Sequence, residues 1–335
     1  MNDEVFARAS ANIALAKYWG KADVARNLTA VPSLSLTLEG LDTVTGVRFD
    51  AALEDDEIRL GGTPASAKET RRVVALLDGV RTLAGSRQRA RVRSVNNFPT
   101  ASGLASSASG FAALALAASS AAGLSLSPEA VSALARAASA SAARSLFGGW
   151  VMLGAGAEAA ERIASADHLP VEMLVAVTTL GPKATGSTEG MEHSRHTSPY
   201  YAAWLAHAPA LFEEIRSALL AKDLITLGEG MEQSALMMHA CMWASRPPLI
   251  YFRPATLAIL DRVRALRGDG LAAYATMDAG PHVKVLTSVT DADAVASALS
   301  SVEGVLRVLR ARPGRDAALL RPAEALSSLG ETGEA

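Results

Sequence analysis

The sequence predicts an α+β protein of two domains, and three observations lead there. Strand-like and helix-like segments are mixed without the strict alternation that a doubly wound parallel sheet requires. The chain has 335 residues, more than one small core sustains, so two domains are the expectation. Half of the residues are hydrophobic (50%) and a fifth charged (20%), an ordinary balance for a well-packed chain. The best boundary is "SADHLPV" at 165–171. It gives a first domain over 1–170, a second over 171–315 and a loose or weakly helical tail over 316–335.

Taken in order, "SLSLTLEGLDTVTGVRF" (33–49) alternates or is β-branched and reads as strands, and "EIRLGGTPAS" as a strand ending in a Gly-Gly turn. "AKETRRVVALLDGVRTLAG" has apolar residues at helical spacing and stops at glycine. "RARVRSV" is a strand that leads into "NNFPTASGLASSASG". Two helices follow, over 104–122 and 128–145, the second with Ser127 as N-cap and Pro128 in its first turn. "GGWVMLGAG" and "VEMLVAVTTL" are strands, and helices follow over 198–220, 222–242 and 254–267. "AAYATMDAGPHVKVLTS" reads as strand, tight turn and strand, "ADAVASALSSV" as a helix and "GVLRVLRAR" as a closing strand.

Composition excludes several classes. The net charge of −2 and sparse aromatics give no basic or stacking surface for nucleic acid. Cys241 is the single cysteine, so there is no disulfide framework and no thiolate metal cluster. "MNDEVFARAS" lacks the apolar core of a signal peptide, and the apolar stretch 111–126 is interrupted and too short for a membrane span. The expected location is the cytoplasm.

The uncharged stretch 96–110 joins small polar residues directly to an alanine-rich helix. A phosphate would use both, because amides at a helix start lack intrahelical partners and carry partial positive charge. A tightly packed, capped helix of small residues would use them equally. "ANIALAKYWGK" (11–21) sets Lys17 and Lys21 around an aromatic pair, which suits an anion site or a solvated lysine pair beside a core tryptophan. "SASAARSLFGG" (139–149) offers Ser139, Ser141 and Arg144 to a carboxylate or phosphate, or else a small-residue packing face. "GPKATGSTEGM" (181–191) reads as a Gly/Ser/Thr loop, and Asp278 in "YATMDAGPH" as a turn former or a catalytic carboxylate. "HSRH" (193–196) reads as helix surface. Together they supply a phosphate cradle, cations, hydroxyls and one carboxylate. That set suits phosphoryl transfer from a nucleotide to an anionic small molecule.

In sequence order, "ANIALAKYWGK", "NNFPTASGLASSASG", "SASAARSLFGGWV", "STEGM…TSPYYAAW", "MHA…PPLIYF" and "TMDAGPHVKV" resemble the blocks of the GHMP-type small-molecule kinases. Within that superfamily they resemble the diphosphomevalonate decarboxylase family, over residues 11 to 285. The resemblance implies a two-domain GHMP kinase-like α+β fold with the active site in the interdomain cleft. It implies ATP-dependent decarboxylation of (R)-5-diphosphomevalonate to isopentenyl diphosphate, with ATP as co-substrate, Mg²⁺, and a homodimer.

Position by position, it makes Asp278 the carboxylate beside the substrate hydroxyl. Arg144 becomes the grip on the substrate carboxylate, and Lys17 the cation at the transferring charge. Tyr18, Trp19, Gly20 and Lys21, with Arg71 ahead of Arg72, match contacts to the substrate diphosphate. Ser139, Ser141, Ser187 and Thr188 match further substrate contacts. Pro99, Ser102, Gly103, Leu104, Ala105, Ser106 and Ser107 would wrap the ATP phosphates, with Ser94 and Asn96 upstream and Ser106 or Ser107 as a protein ligand to Mg²⁺. The chain departs from the family pattern at Ala16, at Ala140 and at "NLTAVP", where Val31-Pro32 would line the phosphate end of the pocket. A phosphomevalonate decarboxylase, a mevalonate 3-kinase and a non-catalytic binding protein of the same fold are the competing readings.

Overall fold

The computed structural model describes residues 3–98, 106–180 and 185–329. The chain opens on a long buried strand, β1 (Val5–Ala16), followed by a small antiparallel pair, β2 (Lys21–Asp23) and β3 (Leu28–Thr29). The alternating segment from Ser33 is one strand, β4 (Ser33–Asp50), antiparallel to β1 with two bulges. β5 (Glu57–Leu60) and β6 (Thr63–Pro64) turn through Gly61 and Gly62. α1 (Ala67–Ala84) starts with a reciprocal Ser66–Glu69 capping box and ends at Gly85. β7 (Arg89–Asn96) lies between β4 and β5. α2 (Ser106–Ala121) is alanine-rich and buried on most sides, its small residues letting it lie close against β1 and β4.

α3 (Pro128–Ala138) has the expected Ser127 cap and Pro128 start. The single helix expected over 128–145 instead breaks at Ser139, which is extended (φ −159°, ψ 117°), and Ala140–Leu146 form a 3₁₀ segment. Tertiary bonds explain the break. The Asn12 amide donates to the Ser141 carbonyl at 3.0 Å, and the Ser132 hydroxyl to the Ala143 carbonyl at 3.0 Å. Helical propensity is too weak to resist such bonds. β8 (Trp150–Leu153) and β9 (Glu161–Ala164) complete the strands that this half of the chain adds to the sheet.

The second half builds a separate antiparallel sheet. Its elements are β10 (Val171–Val177), α4 (Ser187–Thr197), α5 (Tyr201–Leu220), α6 (Leu224–Trp243), α7 (Pro254–Gly268), β11 (Ala273–Met277), β12 (Val283–Ser288), α8 (Ala292–Ser300) and β13 (Arg307–Ala311). The strand order is β11-β12-β10-β13. β10 is buried throughout. Its odd-numbered residues pack with Leu211, Ile215 and Met231 of α5 and α6, and Leu174 and Ala176 with Ile259, Val263 and Val295 of α7 and α8. The first of these clusters also takes in Ile13, Leu15, Leu34 and Leu36, so β1 and β4 share a core with the second sheet.

Two expectations are corrected. The loop expected over 181–191 is helical from Ser187 onward, residues 181–184 lying outside the described residues. The tail, expected to be loose or weakly helical, does hold a short helix but also returns to the first sheet. β14 (Ala318–Leu320) pairs antiparallel with Phe6–Arg8, and α9 (Pro322–Leu329) buries Ala325 against Phe6 and Val44. An exposed edge of β1 and an apolar patch beside it were available to be covered. Among the described residues no helix is long and apolar enough to cross a membrane.

Candidate active site

Asp278 follows β11 in a turn closed by the Gly280 N–H on the Asp278 carbonyl at 2.7 Å. Thr256 and Thr178 hydroxyls both donate to the Pro281 carbonyl and pin that turn. Asp278 Oδ1 accepts from Lys17 Nζ at 2.6 Å, and Oδ2 faces Lys284 Nζ at 3.1 Å. Lys17 follows β1 and Asp278 follows β11, so the pair ties the two sheets together. Lys17 is fixed further by Nζ donating to the Ala14 carbonyl (2.7 Å) and its N–H to Ser234 Oγ (2.9 Å). The lysine side chains are 2% and 0% exposed against 28% for Asp278, so the carboxylate is the part of this cluster open to solvent.

Burial alone would raise the Asp278 pKa, but the charges and hydrogen bonds of Lys17 and Lys284 outweigh it and hold the carboxyl well below the usual range. For Lys17 burial wins over the pull of Asp278, and its pKa falls to about 8. His239 packs on Phe252 with ring centroids 4.5 Å apart, and burial pushes its pKa down to about 3, so this imidazole near Asp278 is neutral.

Arg144 sits on the 3₁₀ segment, 1% exposed. Its guanidinium donates to Ser35 Oγ (2.9 Å), Ser33 Oγ (2.6 Å) and Asn12 Oδ1 (3.3 Å), and lies 5.8 Å from the Tyr18 ring centroid. Among the described residues no carboxylate is within ion-pair distance of it. Burial depresses its pKa, opposed by Tyr18 and by Asp278, whose charge it feels; an arginine keeps its proton regardless. Burying a cation among neutral partners is costly unless an anion arrives.

Tyr18 lies between these groups, its phenol pKa raised by burial. Lys21 is half-buried and its pKa is lowered by burial, with Glu192 opposing and Arg72 assisting. The arginine that α1 brings to this group is Arg72, where Arg71 had been the first choice. Arg72 stacks 4.5 Å from the Phe111 centroid and donates to the Ala138 carbonyl at 3.1 Å, next to Ser139. Adjacent helical residues point about 100° apart, so the two arginines reach in different directions. The Ser139 and Ser141 hydroxyls are 3.2 Å apart.

Ser187 and Thr188 open α4, whose N-cap, Gly186, gives no side-chain bond. Lys68 of α1 reaches to within 3.9 Å of where a Cβ on Gly186 would be. Trp19 is a packing residue, 2% exposed in a cluster with Met191, Trp204 and Met238, although its indole N–H has no acceptor among the described residues. Val31 belongs to the same cluster at 1% exposure, so it packs in that core and does not line an open pocket. Gly20 has φ +119°, and a Cβ there would overlap the Tyr201 hydroxyl at 2.1 Å.

On the presumed nucleotide side, Pro99, Ser102, Gly103, Leu104 and Ala105 lie outside the described residues. Ser106 and Ser107 start α2, whose first turn has no acidic residue. Asn96 Oδ1 accepts from the Thr43 hydroxyl (2.6 Å), which also bonds Ser109 of α2 (2.6 Å), while Ser94 bonds Thr45 (2.8 Å). Asn96 and Ser94 are therefore engaged in holding β7, β4 and the start of α2 together. "HSRH" lies on α4, where His193 bonds the Pro247 carbonyl. Among the described residues no group of three or more His, Cys, Asp or Glu is placed to hold a metal ion.

Four contributors escaped sequence reasoning: Lys284, Asn12, Ser33 and Ser35. A lysine inside a strand that is otherwise buried on both faces was the available signal for Lys284. The serines look like any alternating strand.

The comparisons with known proteins bear on this geometry directly. The diphosphomevalonate decarboxylase-like N-terminal domain model matches residues 9–164, and the mevalonate 5-diphosphate decarboxylase C-terminal domain model matches residues 173–311. The chain belongs to the diphosphomevalonate decarboxylase family. The Aspergillus fumigatus diphosphomevalonate decarboxylase mvd1 is 36% identical over 323 residues, covering 88% of this chain and 80% of the relative. The Staphylococcus aureus mevalonate diphosphate decarboxylase structure superposes with a TM-score of 0.90 at 35% identity, covering 96% of this chain and 99% of that one. An Enterococcus faecalis structure, described for mevalonate diphosphate mediated ATP binding, gives 0.87 at 38% identity over 95% and 99% of the two chains. The complex of MDDEF with MVAPP, AMPPCP and magnesium gives 0.89 at 38% identity, again over 95% and 99%. Such coverage makes the two-domain α+β architecture that of the family.

Proposed function

We propose that this chain catalyses the ATP-dependent decarboxylation of (R)-5-diphosphomevalonate to isopentenyl diphosphate, with ADP, phosphate and CO2 as co-products. The observation that carries the reading is the buried Arg144. Among the described residues its guanidinium is held by neutral oxygens alone, while Asp278 and Lys17 complete an ion pair across the two domains. Such a cation suits a ligand carboxylate, and Asp278 suits a ligand hydroxyl beside it.

In this reading the substrate's tertiary hydroxyl donates its hydrogen bond to Asp278. The carboxylate is too acidic to hold a proton for long, so it chiefly orients the oxygen that takes the γ-phosphoryl group. Lys17 stabilises charge on the transferring group. The C–O bond to the new phosphate then breaks, the carboxylate held by Arg144 leaves as CO2, and its bonding pair closes the alkene. Tyr18, Lys21, Arg72, the Trp19 indole N–H and the start of α4 serve the diphosphate, and Ser139 and Ser141 the substrate backbone. Ser106 and Ser107, with the preceding loop, serve the ATP phosphates.

Among the described residues no group of three or more carboxylate, histidine or cysteine side chains is placed for a metal, which fits Mg²⁺ carried on phosphate oxygens and water, with a Ser106 or Ser107 hydroxyl as its protein ligand. Bound there, the ion would neutralise phosphate charge. We place the division between the domains within 165–171, and read the protein as a cytoplasmic homodimer, which sedimentation at varied concentration tests. The function is tested by incubating the protein with Mg·ATP and either diphosphomevalonate or mevalonate 5-phosphate, following ADP, CO2 and the alkene. Equal ADP and CO2 with strong preference for the diphosphate is expected. Preference for the monophosphate, or ADP without CO2, would replace the reading.

A further inference from the structure

Between β13 in the second sheet and β14 in the first, residues 312–317 run beside the segment that carries Arg144. Glu39 N–H donates to the Arg312 carbonyl at 2.8 Å, and Gly314 N–H to the Thr37 carbonyl at 2.7 Å. Gly149 N–H donates to the Gly314 carbonyl at 2.9 Å, and Ala317 N–H to the Leu146 carbonyl at 3.1 Å. The Asp316 carboxylate accepts from Gly148 N–H at 2.7 Å and pairs with Arg162 through both oxygens at 2.7 and 2.8 Å. The approach is close enough that a Cβ on Gly148 would stand 2.5 Å from the Arg315 carbonyl carbon.

Two of these bonds tie the strap to Thr37 and Glu39 of β4, and three fall on residues 146, 148 and 149. The Thr37 hydroxyl, bonded to the Phe147 carbonyl at 2.7 Å, holds the residue between them. A 3₁₀ segment has poorer hydrogen-bond geometry than an α-helix and depends on outside support. On one flank Ser132 and Asn12 supply it, and on the other the returning tail does. Arg144 must meet a carboxylate in a defined pose, so whatever holds the end of its segment sets where its guanidinium sits.

We propose that the C-terminal strap, residues 312–320, is a positioning element for Arg144, with Asp316 as its anchoring side chain. The proposal rests on the function given above for its catalytic readout, and on backbone bonding for its structural one. Because the strap joins the two sheets, it also ties the placement of Arg144 to that of the domain carrying Asp278.

The test uses the full chain and two variants, Asp316→Asn and Asp316→Ala, with Glu57→Gln as a control that loses an exposed ion pair with Arg91. ADP and CO2 are measured together under saturating Mg·ATP, and amide hydrogen exchange is followed over residues 140–149. Asp316→Ala is expected to lower kcat by about ten- to a hundredfold, the cost of misplacing a positioned group by roughly an ångström. The KM for ATP should not move, CO2 should fall below ADP, and the 146–149 amides should exchange faster. Asp316→Asn should lie between, and Glu57→Gln should match wild type.

Loss of ADP and CO2 in equal proportion, or unchanged exchange, would overturn the strap's role and leave Asp316 a merely structural residue. If Asp316→Ala fails to fold, Asp316→Asn and Arg162→Gln decide by the same two readouts. If the wild-type chain forms neither product, the functional reading has failed, and exchange alone judges the brace.

Discussion

Two neighbouring parts of the candidate site treat charge in opposite ways. At Asp278 one carboxylate is shared by two buried ammonium groups, so its own charge is fully answered within the protein. At Arg144 one buried guanidinium is met by two serines and an asparagine, and its charge is answered by nothing of its own sign's opposite among the described residues. The contrast teaches where the ligand's charge belongs. Asp278 needs no cation from the ligand and can offer a hydroxyl an ionised acceptor, whereas Arg144 needs an anion.

The largest expected effect breaks the first part. Asp278→Asn should lower kcat by about 10³-fold, the upper scale for one lost electrostatic and orienting group, while equilibrium binding of ATP is kept. Near-normal turnover would remove Asp278 from the reaction. Asp278→Ala leaves Lys17 and Lys284 buried without their shared anion, and should cost stability as well, about 3 kcal/mol in denaturant unfolding.

The next effect probes the second part. Arg144→Lys supplies the same charge as a point, without the planar fork that reaches Ser33, Ser35 and a carboxylate at once. kcat for CO2 release should fall about 10²-fold, the scale of one lost electrostatic donor. An unchanged rate would mean that the guanidinium is structural only.

A third prediction sharpens the phosphate end. Arg72→Gln should raise the KM for the diphosphate substrate about tenfold, the worth of one charge-assisted hydrogen bond, and Arg71→Gln should leave it in place. The reverse result would restore the arginine that the sequence favoured.

The smallest effect concerns pH. Lys17 has its pKa lowered to about 8, so it carries its proton below that pH and loses it above. kcat/KM should therefore drop to about half near pH 8 and continue downward, whereas Asp278 stays ionised across the neutral range and gives no acid limb there. Lys17→Arg should move the alkaline limb upward. A limb that does not move assigns it to another group.

Much of this was legible in the sequence, unevenly and for physical reasons. Helices with caps and period, such as 67–84 with its Ser66–Glu69 box, were plain because local chemistry sets them. "VFARASANIALA" gave no sign of being the long strand β1, since alanines favour helix and it is the pairing with β4 and β14 that holds it extended. The break at Ser139 and the return of the tail as β14 are likewise decided by contacts distant in sequence. At the site, the stretches holding Asp278, Arg144 and Lys17 each had a bland local reading, and only the resemblance of their blocks to the family singled the three residues out. The neutral partners of Arg144 were not singled out, because Ser33 and Ser35 on an alternating strand look the same whether they face a guanidinium or a backbone. Choosing between Arg71 and Arg72 required the rotation of α1, which no motif encodes.

One measurement reaches the centre of the account: a crystal structure of the chain with diphosphomevalonate bound. The account predicts the ligand carboxylate on the Arg144 guanidinium and the tertiary hydroxyl on an Asp278 oxygen, both at about 3 Å. A carboxylate facing Lys21 and Arg72, with Arg144 still bonded only to Ser33, Ser35 and Asn12, would contradict it.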